Sequence, residues 1–323
     1  MNSPEISAPM ALALSRKTGG YVRGSHSDGR RLGVAIGSGG GAGPVTLGKL
    51  VALQRTGVLD YVDAIHAISV GAINAAALLA GQTELAIAGY GEVTKGGFIK
   101  KIRVHRIVDM GILERVLRRS DGLDEEKVAK SSIPLHVGVT QLTGGLRPIS
   151  IDLSQEEPDN VIDWLMRGAH LGIAAGPAPK DRRGIVYADG GFSHLSAIDM
   201  AYKGGCTDII YLSNQPYEPD KYNAFNVAFF GAGLSLYDRH AIPALNRVVR
   251  NQIASRRPIC DGEFRYNDAN VVGFFPPRPT EPEDALPTLF NTDPRRIETG
   301  FRIGSMHVLE RTASYFPVLL PSV

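Results

Sequence analysis

The stretch LGVAIGSGGGAGPVTLGKLVALQRTGVLDYVDAIHAISVGAINAAALLAG, residues 32–81, decides the fold. Leu32–Ile36 is a short continuous apolar run, the mark of a strand covered on both faces. A glycine-rich turn, Gly37–Gly43, follows it directly. Val45–Thr56 then carries apolar side chains at 47, 50, 51 and 53, one face of a helix that stops before Gly57. Ala64–Ile68 is a second apolar run, and Ser69 leads it at once into a helix of small residues, Gly71–Ala80. Strand, turn and helix, repeated, is the pattern of a parallel sheet with helices packed on it.

The same alternation continues along the chain. Leu135–Val139 is a third strand candidate. Gly184–Tyr187 leads a fourth into Asp189, and Asp208–Leu212 is a fifth, after a helix at Ala197–Lys203 and the Gly204-Gly205 stop. The fold expected is three-layer α/β with a mostly parallel central sheet. Residues 84–130 read as a helical insertion containing the basic stretch GGFIKKIRVHR. Past residue 215 the pattern changes. Leu234–Ser255 reads as a helix kinked near Pro243, the proline-rich 256–289 as an extended crossing, and a last helix starts on the cap Thr292-Asp293-Pro294, with Ile297, Phe301, Val308 and Leu309 on its apolar face. Three units follow: a flexible arm, 1–31; an α/β domain, 32–215; and an extension packed on it, 216–323.

Composition narrows the function. The chain has 323 residues, with 35 Lys+Arg against 33 Asp+Glu and a net charge of +2. That balance gives no reason to expect a nucleic-acid partner. Cys206 and Cys260 make neither a disulfide framework nor a CxxC metal site. The longest apolar run, Ala75–Ala80, is far short of a membrane span. Met10–Leu14 follows Glu5 where a signal peptide needs positive charge. A cytoplasmic protein is the default expectation. His26, His105, His136, His240 and His307 show no ligand spacing, so neither metal nor cofactor is expected. His66 reads as packed in or beside the sheet, and His170 and His194, at either side of Asp189 in sequence, are the candidates for a triad histidine. Lys100, Lys101, Arg103 and Arg106 form a solvated face or a contact with a membrane surface. Phe274-Phe275-Pro276-Pro277 reads as a cover over the domain or as the way in for an acyl chain.

Three features carry chemistry. Successive glycine N–H groups in Gly37–Gly43, at a helix N-terminus, suit an anion: a phosphate, as the Gly37-x-Gly39-x-x-Ala42 pattern allows, or an oxyanion in acyl transfer. Ala67-Ile68-Ser69-Val70-Gly71 has the form of a nucleophile elbow, with Ala67 at the first glycine position. Asp189-Gly190-Gly191 follows a strand. The dinucleotide alternative expects an acidic residue at the end of the second strand, whereas Asp60 and Asp63 precede it.

In this order the three motifs resemble the patatin-like phospholipase family, whose glycine-rich loop, serine elbow and DGG or DGA motif serve a Ser–Asp dyad. LGKLVALQRTGVL, SIPLHVGVTQLTGG, RGAHLGIAAGPAP and YKGGCTDIIYLS are also similar to that family, over about Leu32–Asn214, with a weaker likeness in DPRRIETGFRIG. The resemblance implies a patatin-like α/β fold and a hydrolase of lipid acyl esters, with Ser69 as nucleophile, Asp189 as its base, backbone N–H groups of Gly39, Gly40 and Gly41 as the oxyanion hole, and Gly71, Gly190 and Gly191 supporting the turns. An acyltransferase or thioesterase on the same dyad, or a binding protein with a weakened site, is the alternative. Ala42 stands where the family has a basic loop residue, Pro44 removes an N–H, and FSHLS follows DGG where the family has an Asn-x-Pro turn.

Overall fold

The computed structural model describes residues 6–24, 28–95, 97–99, 107–216, 230, 234–237, 240–256, 260–281, 285–288, 290–291 and 293–316. Lys100, Lys101, Arg103 and Arg106 therefore lie outside the described residues.

The elements in chain order are α1 (Ala8–Thr18), β1 (Leu32–Ile36), α2 (Gly43–Arg55), β2 (Ala64–Ile68), α3 (Val70–Leu79), α4 (Thr83–Lys95), α5 (Met110–Arg118), α6 (Glu125–Ala129), β3 (Leu135–Gln141), β4 (Arg147–Asp152), α7 (Val161–Gly168), β5 (Tyr187–Asp189), α8 (Ala197–Lys203), β6 (Asp208–Leu212), α9 (Ala241–Arg256), β7 (Gly262–Tyr266), β8 (Ala269–Phe274) and α10 (Pro294–Thr312). The strands form one sheet in the order β4-β3-β2-β1-β6-β8-β7. β1 pairs in parallel with β2 and β6, and β2 with β3 and β6 with β8 likewise; β4 and β7 add antiparallel edges. Every residue of β1 and β2 is buried, as two covered faces require.

Strand alternation sorts the core into two layers. Leu32, Val34 and Ile36 join Leu50, Leu53, Ile65, Ala76 and Val308 in a cluster on the α2, α3 and α10 side. Ala35, Ile68, Ile209 and Val271 face Ala197, Ile198 and Ala201 of α8 on the other. The α/β sandwich expected from the sequence is thus the fold observed.

Three expectations are corrected. The arm 1–31 contains α1, whose Met10, Leu12 and Ala13 enter the core and whose Arg16 is buried against Asp28 and Asp63. The unit 32–215 is not closed at 215: β8, within the stretch read as an extended crossing, pairs with β6, and its hairpin to β7 turns at Asn267, which holds a positive φ of 53°. Pro243 does not kink a helix; it lies in the first turn of α9, where a missing N–H breaks no intrahelical bond.

The fourth strand candidate is the short β5, which is antiparallel. β3 pairs with β2 through Gly138 and then with β5 from Val139 onward. β5 therefore fills the place beside β3 that β2 vacates when the chain turns at Ser69. Among the described residues no helix is long and apolar enough to cross a membrane.

Candidate active site

The register of β3 brings the two candidate side chains, Ser69 and Asp189, together. Ile68 pairs with Gly138, and Asp189 pairs with Val139, the next residue. Ser69, which follows Ile68, thus meets Asp189 at the point where β2 hands over to β5. Gly190 is required there: a Cβ on it would stand 2.3 Å from the Gly138 carbonyl oxygen.

Ser69 has φ 59° and ψ −134° and caps α3 without a side-chain capping bond. A serine with positive φ is strained, and such strain is typical of a nucleophile held on a strand-to-helix elbow. Its hydroxyl is not spent on the helix terminus. Gly71 lets α3 pass the end of β1, since a Cβ there would stand 2.8 Å from Ile36 Cγ2.

Asp189 is 2% exposed. Its Oδ1 accepts the Gly191 N–H at 2.7 Å, and its backbone carbonyl accepts the Thr140 hydroxyl at 2.7 Å. Oδ2 is buried and has no partner of strict hydrogen-bond geometry. Burial pushes the carboxyl up to about 6, with weaker opposing pulls from the Ser69 hydroxyl and the Gly191 N–H. The Ser69 contact is therefore close but loose, as catalytic hydrogen bonds commonly are before a substrate binds. Gln252 of α9 steadies the turn, donating to the carbonyls of Gly191 at 3.0 Å and His194 at 2.7 Å.

The glycine loop lies at the N-terminus of α2, beside the N-terminus of α3. Two positive helix ends thus converge where the loop lacks a basic side chain. Gly40 has φ +50° and opens a short 3-10 turn, Gly40–Ala42. Among the described residues the N–H groups of Gly40 and Gly41 have no hydrogen-bond acceptor. Gly40, Gly41 and Ser69 line one cavity, whereas Gly39 packs against Asn214. That cavity contains about 1060 Å³ of space free of protein atoms, partly continuous with solvent. Apart from a few polar groups its wall is apolar, drawn from α3, α4 and α5, with Phe290 and Ile297 from the C-terminal part. Phe274 and Phe275 do not line it.

Among the described residues no histidine completes a triad here. The His194 ring donates from Nε2 to the Ile149 carbonyl at 3.0 Å, and burial lowers its pKa. His170 accepts the Gly172 N–H on Nδ1 at 3.2 Å, and burial pushes it down to about 4. His66 stacks on His136 in the middle of β2. Among the described residues no three His, Cys, Asp or Glu side chains gather as a metal site would need.

Sequence reasoning missed Asn214, Asn74, Tyr90 and Gln252, all of which contact the site. Asn214 carried a usable signal: it stands just past the carboxyl end of β6, the edge of an α/β sheet where binding sites form.

No protein-family model matches the chain, and no curated protein does. Among solved structures it is similar to VipD from Legionella pneumophila, at 12% identity, over 88% of this chain and 67% of that one, with a TM-score of 0.47. It is also similar to human GIVD cytosolic phospholipase A2, solved with methyl gamma-linolenyl fluorophosphonate, at 13% identity, over 97% of this chain and 62% of that one, with a TM-score of 0.48. The chain thus spans under two thirds of the second structure.

Proposed function

We propose that this chain is a serine hydrolase of carboxylic esters, of the patatin type that its motifs resemble, acting on lipid acyl esters through a Ser69–Asp189 dyad. The observation that carries the reading is the strained Ser69 beside the buried, singly anchored Asp189, opening on an apolar cavity shared with Gly40 and Gly41.

Burial makes the missing histidine unnecessary. An exposed aspartate near its ordinary value is a poor base, while one raised to about 6 is still ionised at neutral pH and accepts a proton more readily. Ser69 Oγ attacks the ester carbonyl as its proton passes to Asp189 Oδ2. The N–H groups of Gly40 and Gly41 receive the negative charge on the former carbonyl oxygen. Collapse breaks the bond to the alcohol, which leaves with the proton from Asp189 and so forms an acyl-serine. Water then attacks the acyl carbon and gives its proton to Asp189; the acid departs and the proton returns to Ser69. The apolar wall would hold the acyl chain, and the positive charge of Lys100, Lys101, Arg103 and Arg106 suits contact with an anionic lipid surface.

Labelling with a fluorophosphonate probe, followed by a panel of phospholipid, glyceride and short-chain esters, tests the reading. Wild type should label on Ser69 and release free fatty acid; Ser69→Ala should do neither and should keep its circular dichroism. Labelling on another serine, or none on folded wild type, would overturn it. Gly40→Ala should reduce hydrolysis about 100-fold, the cost of one disturbed oxyanion donor.

A further inference from the structure

The glycine loop is held at both ends by buried amides. At its start, Asn214 donates from Nδ2 to the Ser38 carbonyl at 2.7 Å. At its end, Asn74 donates from Nδ2 to the Gly43 carbonyl at 2.9 Å and to the Thr46 hydroxyl at 3.2 Å. Both asparagines are buried, Asn214 at 2% and Asn74 at 0% exposure. Tyr90 of α4 donates its hydroxyl to Asn74 Oδ1 at 2.9 Å, which fixes the orientation of that amide.

The fit is tight as well as polar. A Cβ on Gly39 would lie 1.7 Å from Asn214 Nδ2, and one on Gly43 would lie 1.9 Å from the Tyr90 hydroxyl. The asparagine and the tyrosine fill the space that the two glycines leave. These contacts come from three separate parts of the chain: the end of β6, the elbow helix α3, and α4.

We propose that Asn214 and the Asn74–Tyr90 pair are positioning residues that set the oxyanion donors, an inference that rests on the hydrolase reading above. A peptide unit is planar, with its C=O and N–H pointing opposite ways. Holding the Ser38 carbonyl outward fixes the plane that carries the Gly39 N–H. Gly43 precedes Pro44, so its peptide has no N–H to reorient, and its carbonyl serves as the second anchor. Between the anchors the Gly40 and Gly41 N–H groups keep one direction, toward the cavity lined by Ser69. A glycine turn has many alternative conformations, so preorganisation here must come from its surroundings. Asn74 stands in α3, the helix that Ser69 caps, so the donors and the nucleophile are registered against each other through α3.

The test uses the full chain with Asn214→Ala, Asn214→Asp, which keeps the shape but loses the donor, and Tyr90→Phe, which keeps the ring and spares Asn74 itself. For hydrolysis of a p-nitrophenyl ester, kcat and the rate of Ser69 labelling should fall about 10- to 100-fold in the Asn214 variants, with KM within about threefold, because misplacement by about 1 Å acts on the transition state. Tyr90→Phe should cost about 3- to 10-fold in kcat. Asn214→Ala combined with Gly40→Ala should cost less than the product of the two, since both act on the same donors. Hydrogen exchange of a peptide spanning 37–43 should speed up in Asn214→Ala while one spanning 64–68 stays unchanged. Unchanged exchange across 37–43, a loss carried by KM, or fully multiplicative effects would overturn the proposal. A parent that neither labels nor hydrolyses would sink the hydrolase reading, and the exchange measurement would still decide whether Asn214 holds the loop.

Discussion

Asp189 carries two opposed consequences of its burial. Its folded value of about 6 lies above the ordinary aspartate value of 3.8, so between those pH values the native state holds a proton that the unfolded chain has released. Stability from this group is therefore full below about pH 4 and is lost as pH rises through 6. The rise corresponds to about 3 kcal/mol at most. Asp189→Asn should consequently be more stable than wild type in urea unfolding at pH 8, with the difference shrinking toward pH 4, while hydrolysis falls by about two to four orders of magnitude. A variant equally or less stable at pH 8 would show that the carboxylate is not strained by desolvation. The same group sets the acidic limb of activity: kcat/KM should climb through an apparent value near 6. A histidine base at either His170 or His194 would not do so, since burial lowers both. Ser69 and Asp189 were legible in the sequence because each sits in a local turn signature. Asn214 was marked only by its place past β6, and Tyr90 by nothing, because its role exists only through contacts with residues distant in the chain.

Among the elements, α2 holds the least ordinary side chain. Lys49 is fully buried, with Nζ donating to the carbonyls of Ser213 at 2.7 Å and Phe274 at 2.6 Å, just past β6 and at the end of β8. It ties the helix that begins at the glycine loop to the strand ends beneath it. Desolvation lowers its pKa well below the ordinary lysine value, with Arg311 adding to that and Asp261 opposing it. The unfolded chain therefore binds a proton that the folded one has lost, over the range between the lowered value and 10.5, and stability rises with pH there. Compared with Lys49→Met, whose side chain cannot titrate, wild type should gain up to about 1.4 kcal/mol per pH unit in that range. Melting both proteins from pH 7 to 10 tests it; parallel curves would mean the lysine keeps its ordinary value. Sequence periodicity found the helix, but a lysine within it reads as surface until the strand ends that accept its protons are placed. The strands divide in the same way. β1, β2, β3 and β6 are apolar runs and were legible. β4 includes Pro148 and β7 reads GEFRY, each an edge with polar residues and weak apolar contrast.

At the scale of the molecule, the C-terminal third is part of the fold that presents the site. β8 occupies the sheet between β6 and β7, and α10 crosses α2 at close range. The crossing depends on two glycines: a Cβ on Gly48 would stand 2.1 Å from the Phe301 carbonyl oxygen, and one on Gly304 would stand 2.1 Å from that of Val45. Ser305 Oγ donates to the Gly48 carbonyl at 3.0 Å across the same contact. Val45 and Gly48 lie in the helix whose first residue closes the glycine loop, and Ile297 at the start of α10 lines the cavity. Enlarging Gly304 must therefore separate the helices or shift α2. Gly304→Leu should destabilise the protein by about 3 kcal/mol or more, at the upper end of overpacking because backbone rather than a mobile side chain is struck. If folded protein is recovered, its loss of kcat should exceed that of a cavity-wall change such as Ile297→Ala, because it displaces the donors as well as one apolar contact. A chain ending at residue 215 goes further: it would leave β6 as an open apolar edge and strip Lys49 of its Phe274 acceptor. Such a chain should be insoluble or aggregate, since an unpaired, flat apolar strand is a template for association. Soluble, monomeric, cooperatively unfolding 1–215 would show that the sheet can close without β8, and that the boundary expected from the change of sequence pattern was the physical one.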